Sequence, residues 1–297
     1  MTSKLFICYN KNMKKIKTKL IYFFKGFAMG SVDIIPGISG GTMALILGIY
    51  EKLIKELKAI NLGFLKLLLN LKIKEAFSKI NLGFLLPLFS GIIIAIIGLA
   101  KVISYLLQNH SSYLYGFFFG LIIASIFIIL PKKFYRAKNS LFLIPGFILA
   151  WIISGSNSIN SANTYLNIFI SGILAICAMI LPGISGSFIL LILGKYEFMI
   201  SVLKNPFISG NLVYLLVFAL GCIFGLASFI KLLDFLFKKY KEQSMAILIG
   251  FMSGALRKIW PFGKITNIEI DRSFIIILLL VIAGIFVGIQ ISKIKKV

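Results

Sequence analysis

The sequence predicts an all-α, polytopic membrane protein made of two repeats of inverted topology, each with a re-entrant helical hairpin and about three transmembrane helices. Three observations support this prediction. Of the 297 residues, 59% are hydrophobic, and the mean hydropathy is +1.00, which no ordinary soluble domain reaches. Several apolar runs extend to about 18 residues or more, the length that a helix needs to cross a bilayer. One unusual polar stretch also occurs twice, almost half a chain length apart.

The formal net charge of +23 would suggest nucleic-acid binding in a soluble chain. Here most lysines lie in loops between apolar runs, as the positive-inside rule requires of cytoplasmic loops. We therefore expect no nucleic-acid partner. The expected location is the plasma membrane of a bacterium, crossed several times, with both termini on the cytoplasmic side.

The chain divides into four parts. Residues 1–29 are basic and predict an amphipathic helix on the membrane surface rather than a cleaved signal peptide. Residues 30–154 form the first membrane repeat, the uncharged residues 155–163 form a linker, and residues 164–297 form the second, inverted repeat. With a single histidine and no CxxC pair, the chain predicts neither a metal site nor a cofactor.

Six apolar runs predict crossings, at residues 82–107, 113–130, 141–154, 212–237, 244–259 and 274–292. If the duplicated stretches enter the membrane and return to the same side, the lysine-rich loops all fall on one side. Only the loop at 257–272 is mixed. Each repeat then has three crossings, an odd number, so the second copy is inverted, as in many transporters.

The duplicated stretch is the centre of the functional prediction. Residues 182–200 match residues 36–54 at 12 of 19 positions with a constant offset of 146 (182 − 36), and each copy begins Pro-Gly-Ile-Ser-Gly. Pro-Gly breaks a helix, and we expect new helices to begin at Gly40 or Gly41 and at Gly186 or Ser187. Ser39 and Ser185 are placed to act as N-caps. Helix N-termini bind anions, phosphate above all, so two facing copies predict one anion site near the midplane.

The candidate phosphate-binding residues come from both copies and from two lysines within apolar runs, which correspond at an offset of 130. They are Pro36, Gly37, Ser39, Gly40, Gly41, Thr42, Pro182, Gly183, Ser185, Gly186, Ser187, Lys101 and Lys231. Three structural alternatives stay open. The Pro-Gly pairs could simply kink packed helices, and the lysines could extend to the membrane interface. The glycines shared by residues 116–120 and 250–254 could equally be helix-packing faces.

Three carboxylates complete the candidate set, and a fourth is expected to form an ion pair. Asp33 has no counterpart in the second copy, because Met179 occupies that position, and it is the candidate for ion coupling or for pairing with a lysine. Glu51 and Glu197 are duplicated within Gly-x-Tyr-Glu and are expected to support the hairpins by capping or by pairing with lysines. Asp234 is expected to pair with Lys231 or Lys238.

These motifs resemble a known family. VDIIPGISGGTMALILGIYEKLI, with the second PGISG and GKYE, is similar to the signature of the PopT-type undecaprenyl-phosphate translocases. The resemblance covers essentially the whole chain, although Ser187-Phe188 replaces Gly41-Thr42 in the second copy. It implies a flippase, not an enzyme, that returns undecaprenyl phosphate from the outer to the cytoplasmic leaflet for re-use in cell-envelope polymers such as peptidoglycan. The implied partners are this lipid and the bilayer, with a homo-oligomer left open.

Two other functions are weighed against it. Pro-Gly-x-Ser also resembles undecaprenyl-diphosphate phosphatases, whose motif continues with an arginine and is accompanied by paired glutamates. Here Gly40 follows Ser39 and Gly186 follows Ser185, and no paired glutamate lies within an apolar run. Phosphoryl transfer needs positive charge, such as that of the arginine, on the oxygens of the transferred group. A small-anion carrier is the third candidate.

Overall fold

Helices form all of the regular structure in the computed structural model, which describes residues 2–35, 37–130, 140–159, 161–208, 210–263 and 272–294. No strand occurs within these ranges. The first half contains α1 (Thr2–Asp33), α2 (Gly40–Ile46), α3 (Tyr50–Ala59), α4 (Leu62–Leu69), α5 (Ile73–Ser78), α6 (Leu82–Asn109), α7 (Ser111–Ile129) and α8 (Leu143–Gly155). The second half contains α9 (Tyr165–Ile180), α10 (Gly186–Ile192), α11 (Tyr196–Lys204), α12 (Asn211–Lys239), α13 (Lys241–Ala255) and α14 (Arg272–Ile294).

Four of the described helices, α6, α7, α12 and α14, are long and apolar enough to cross a membrane. The pair α10–α11, bent by 111°, makes a fifth candidate if it counts as one span. The sequence predicted six crossings. Two of these, α8 and α13, have only 13 and 15 helical residues, which cover about 20 and 23 Å at 1.5 Å per residue. A hydrocarbon core is about 30 Å thick, so length and composition alone support four or five spans.

The N-terminal segment and the residues that lead into the first copy of the duplicated stretch form one continuous helix. The predicted surface helix was expected to end near Met29, but α1 continues to Asp33 and its second half packs along α6. Gly26 lies against the backbone of Leu88, and Gly91 lies against the backbone of Phe23. The end of α1 is therefore held against a candidate membrane span.

Four helix pairs make most of the contacts between elements: α1 with α6, α9 with α12, α7 with α14, and α8 with α13. In each pair, glycines let the two backbones come close. Gly120 contacts the backbone of Val281, and Gly250 and Gly254 contact the backbones of Leu143 and Phe147. The glycines shared by the two halves are thus helix-packing faces, the alternative that the sequence had left open.

The predicted linker is attached to the end of α10. Ile159 N donates to Ile192 O at 2.6 Å. Lys195, which is fully buried, donates through Nζ to Ala162 O at 2.9 Å, to Asn163 Oδ1 at 2.7 Å and to Ser161 O. Three oxygens satisfy the three donors of a buried ammonium group, which would otherwise be costly. The described part of the linker is therefore held against the second hairpin.

Two glycines of α6 give a matched test of the helix packing. A Cβ at Gly91 would collide with the backbone of Phe23, whereas a Cβ at Gly98 meets nothing within 4 Å. We expect Gly91→Ala to destabilise the protein by about 1–3 kcal/mol, because α1 and α6 must separate. Gly98→Ala should be neutral or stabilise by up to about 1 kcal/mol, because alanine is the better helix former. Thermal unfolding of the detergent-solubilised protein measures both, and equal melting temperatures would contradict the packing described.

Candidate functional site

Each copy of the duplicated stretch forms a break followed by a short helix. We call residues 36–54 the first hairpin and residues 182–200 the second hairpin. The chain leaves α1 at Asp33 and re-enters a helix at Gly40; it leaves α9 at Ile180 and re-enters a helix at Gly186. Gly37 and Gly183 have φ values of +93° and +97°, a region that residues with a side chain rarely adopt. The predicted restart positions are confirmed, and both turns need their glycine.

Pro182 accounts for where the incoming helix α9 stops. Leu181, which precedes the buried Pro182, has φ −67° and ψ 130°, as the clash with a following proline ring favours. Pro36, predicted as part of the site, lies outside the described residues.

The first hairpin satisfies its own helix N-terminus. Ser39 is the N-cap of α2, and its Oγ accepts a hydrogen bond from Gly41 N at 3.1 Å. The Asp33 carboxylate accepts from Gly40 N at 2.6 Å. The first amides of a helix have no partner within it, and here two of them bond to side chains. The prediction for Ser39 is confirmed.

The second hairpin lacks the capping bond at its serine. Ser185 occupies the N-cap of α10 with the same ψ of 136° as Ser39, but its side chain makes no capping bond. Its Oγ instead lies 2.7 Å from Ser187 Oγ. The first copy has Gly41 at the position of Ser187, so no second hydroxyl competes there. The prediction that both serines cap is therefore wrong for Ser185.

The two hairpins are joined by buried and partly buried hydrogen bonds. Ser39 Oγ shares its one hydrogen between Met179 O at 3.2 Å and Leu181 O at 3.1 Å. Gly183 N donates to Thr42 Oγ1 at 2.7 Å. In every one of these bonds a side chain of the first copy meets the main chain within the second copy or directly before it, and Tyr50 follows the same pattern by donating to Ile180 O at 3.2 Å. The structure thus brings together the two motifs that the sequence placed 146 residues apart.

An apolar cavity of about 240 Å³ opens beside this contact. Asp33, Gly40 and Gly41 line one part of it, and Tyr50 contributes a phenol. The remaining lining consists of apolar side chains from α1, α3, α6, α9 and α12. The cavity therefore offers hydrocarbon surroundings next to the polar turn of the first hairpin.

The two lysines predicted for the site do not reach the hairpins. Lys101 and Lys231 are both exposed, and no described hydrogen bond or ion pair joins either of them to a hairpin. Lys231 instead lines a second cavity of about 470 Å³ with Lys58. That cavity shares the lining residues Leu57 and Leu226 with the first one. Lys101 and Lys231 occupy corresponding positions in the sequence, but the fold does not bring them together at the hairpins.

The carboxylates beyond the hairpins form ion pairs. Glu51, in the first turn of α3, pairs with Lys241 at 2.9 Å, as a supporting role predicted. Asp234 pairs with Lys238 at 3.0 Å and also with Lys58 on α3. These contacts connect the end of the first hairpin to α12 and α13.

Glu197 is exposed in the first turn of α11, and no ion pair is described for it. In the described part of the chain, no group of three His, Cys, Asp or Glu side chains could hold a metal ion.

Lys258, which lies beside both hairpins, was missed by the sequence predictions. The Lys258 Nζ lies 4.3 Å from the centre of the Phe188 ring in the second hairpin. Its Cγ would lie 2.9 Å from a Cβ placed on Gly37 in the first. A signal existed, since Lys258 lies in the loop at 257–272, the only loop that is mixed in the predicted charge pattern.

Comparison with known proteins identifies the family. Residues 29–277, which include both hairpins, match the model of the VCA0040-like family, described as undecaprenyl phosphate translocase-like. The chain belongs to this family. The resemblance in the motifs is therefore confirmed over most of the chain.

Two similar proteins are named polyprenyl-phosphate transporter. The protein from Vibrio cholerae is 41% identical over 260 residues, which cover 87% of this chain and 83% of the relative. The protein from Staphylococcus aureus is 31% identical over 293 residues, which cover 93% of this chain and 97% of the relative. No solved structure matches the chain.

The bond between the hairpins predicts a specific loss of stability. Thr42→Val keeps the shape of the side chain but leaves the buried Gly183 N–H without its acceptor, at a cost of about 1–3 kcal/mol. Ser125→Ala is the matched control, because this buried hydroxyl donates only to Leu121 O one turn earlier in its own helix. We expect Thr42→Val to unfold several degrees below Ser125→Ala in detergent. A melting temperature for Thr42→Val at or above that of the control would contradict the role of this bond.

Proposed function

We propose that this chain is a membrane transporter of polyprenyl phosphate, specifically one that returns undecaprenyl phosphate from the outer to the cytoplasmic leaflet of the bacterial plasma membrane. Its family and the names of its relatives support the lipid class. The observation that carries the proposal is the contact between the two duplicated hairpins, at the edge of an apolar cavity. A polar turn beside hydrocarbon surroundings suits a ligand with a phosphate head and a prenyl tail.

We propose further that the two halves, 30–154 and 164–297, are inverted repeats whose hairpins are re-entrant. The pairing of the helices supports this. In each half the helix before the hairpin packs on the first long helix after it: α1 on α6, and α9 on α12. The remaining helices pair between the halves, α7 with α14 and α8 with α13. A twofold exchange of the halves converts each of these pairings into the other.

The headgroup site is proposed at residues 37–42 and 183–187. Irregular backbone at membrane depth is tolerated where it is buried in protein or lines a polar cavity, and both turns are buried. Asp33 remains the candidate for ion coupling, because its carboxylate holds the Gly40 amide that a phosphate in this site would also need.

The environment of the serines does not favour a phosphatase. A nucleophilic serine needs a base within hydrogen-bonding reach. Ser39 Oγ donates to two main-chain carbonyls, and Ser185 pairs with another hydroxyl. Among the described contacts, no ionised side chain bonds to either of them, so the geometry fits a carrier better than a hydrolase.

Purified protein in liposomes tests the transporter. An impermeant phosphatase added outside hydrolyses only the undecaprenyl phosphate in the outer leaflet. We expect the wild-type protein to bring the inner pool to this enzyme, so that hydrolysis proceeds beyond the outer half. In liposomes without the added enzyme, no inorganic phosphate should be released from the monophosphate or the diphosphate. Phosphate release from the diphosphate by the protein itself would sink the transporter proposal.

Bulky substitutions test the hairpin site within the same assay. We expect Ser39→Leu and Ser185→Leu to abolish transport while the protein still inserts, because leucine fills the space between the turns. Ser104→Leu is the control, since Ser104 is exposed on α6. Wild-type transport in both hairpin variants would contradict a headgroup site at the hairpins. It would not contradict the proposal that the protein is a transporter.

A further inference from the structure

The short segment after α13, Arg257 to Trp260, carries an excess of hydrogen-bond donors beside the hairpins. The Lys258 side chain contacts both of them, through Phe188 of the second and Gly37 of the first. The Arg257 guanidinium lies 4.8 Å from the centre of the Trp151 ring and donates to Trp151 O at 3.1 Å. One lysine therefore bridges the two copies of the motif, with an arginine next to it.

These donors lack the anionic partners that a few other basic residues have. Lys58, Lys238 and Lys241 each pair with a carboxylate. In the described part of the chain, neither Arg257 nor Lys258 forms an ion pair. The indole Nε1 of Trp260 is buried and has no hydrogen-bond partner there, although a buried donor normally has one. Two cations and an unsatisfied N–H are the complement of an anionic ligand.

The position of the segment in the topology points to the same conclusion. If the halves are inverted as proposed above, this loop lies on the outer side of the membrane, where the other loops have few basic residues. Lysine and arginine that depart from the positive-inside pattern need another reason to be there. The outer side is also where a lipid phosphate that is carried inward begins its path.

We propose that Arg257, Lys258 and Trp260 form a receiving site for the phosphate monoester headgroup of a lipid on the outer side, before the headgroup enters between the hairpins. The inference rests on the proposed transport function. Arginine binds phosphate oxygens in a planar, bidentate fashion, and lysine adds a mobile point charge. The aromatic rings of Trp151 and Phe188 supply apolar surface beside the charges, as an amphiphilic ligand requires.

Tryptophan fluorescence can report ligand binding at this site. Its two tryptophans, Trp151 and Trp260, both belong to this cluster. We therefore expect farnesyl phosphate, a short and soluble prenyl monophosphate, to change the intrinsic fluorescence of the full-length protein in detergent in a saturable way. Lys258→Gln should raise the midpoint of this titration about tenfold, because a charge-assisted hydrogen bond is lost. Lys258→Arg should stay near the wild type.

The controls separate a charge effect from general damage and a lipid from a free ion. Lys204→Gln, at an exposed lysine of α11, should bind like the wild type. Farnesol, which lacks the phosphate, should bind weakly and equally to the wild type and Lys258→Gln. Inorganic phosphate at the concentration of farnesyl phosphate should not compete, and equal competition would overturn the assignment to a lipid. An unchanged midpoint in Lys258→Gln would overturn the receiving site.

Transport measured on the same preparations distinguishes the two proposals. If the wild type and Lys258→Gln transport equally and bind equally, the receiving site is wrong and the transporter stands. If the wild type itself neither transports nor binds the lipid phosphate, the proposed function fails and the receiving site fails with it. We expect the wild type to transport and Lys258→Gln to transport about tenfold more slowly at low lipid density.

The side of the membrane is tested directly. Lys258→Cys, in a chain whose three cysteines are replaced by serine, should react with an impermeant maleimide added to intact cells. Labelling that requires permeabilised cells would place Lys258 on the cytoplasmic side and overturn the receiving role.

Discussion

The structure depends on how two interrupted helices satisfy their main-chain polar groups in apolar surroundings. An unpaired N–H or C=O there costs several kcal/mol, so the two breaks must find partners close at hand. The two breaks form hydrogen bonds with each other's surroundings and with Asp33. Thr42 accepts from Gly183 N, and Ser39 donates to the carbonyls at the end of α9. Neither hairpin would be equally satisfied alone.

The hairpins are held in this contact by helices that approach closely. Association of helices in lipid relies on packing rather than on the hydrophobic effect, and small residues allow it. Glycines such as Gly91 and Gly120 stand against the backbone of the neighbouring helix. The apolar cavity at the first hairpin is enclosed by helices of both halves, so the same packing that positions the turns also forms the hydrocarbon space beside them.

The positions at which the two copies differ are as informative as those at which they agree. Thr42 corresponds to Phe188: the first bonds to the opposite hairpin, and the second lies against Lys258. Ile49 corresponds to Lys195, whose buried ammonium group holds the linker between the halves. Each copy has thus specialised, and the contact between them is asymmetric although the backbones at Ser39 and Ser185 are alike.

The sequence by itself determined the elements and the motifs. Hydropathy gave the long apolar helices to within a few residues, since an 18-residue apolar run has few alternatives to a helix. Pro-Gly pairs and serines placed the breaks and the restarts at Gly40 and Gly186, because proline and capping act on neighbouring residues. Ser185 shows the limit of such rules, because one added hydroxyl at Ser187 redirected its bond.

Only the tertiary structure decided what meets across the halves. Equal spacing in the sequence suggested that Lys101 and Lys231 share the site, yet both side chains are exposed, because the rotation of each helix about its axis is set by glycine packing and not by sequence offset. The loop at 257–272 looked like an irregularity in a charge pattern. Folding brings its Lys258 against both hairpins, a long-range contact to which no local pattern corresponds.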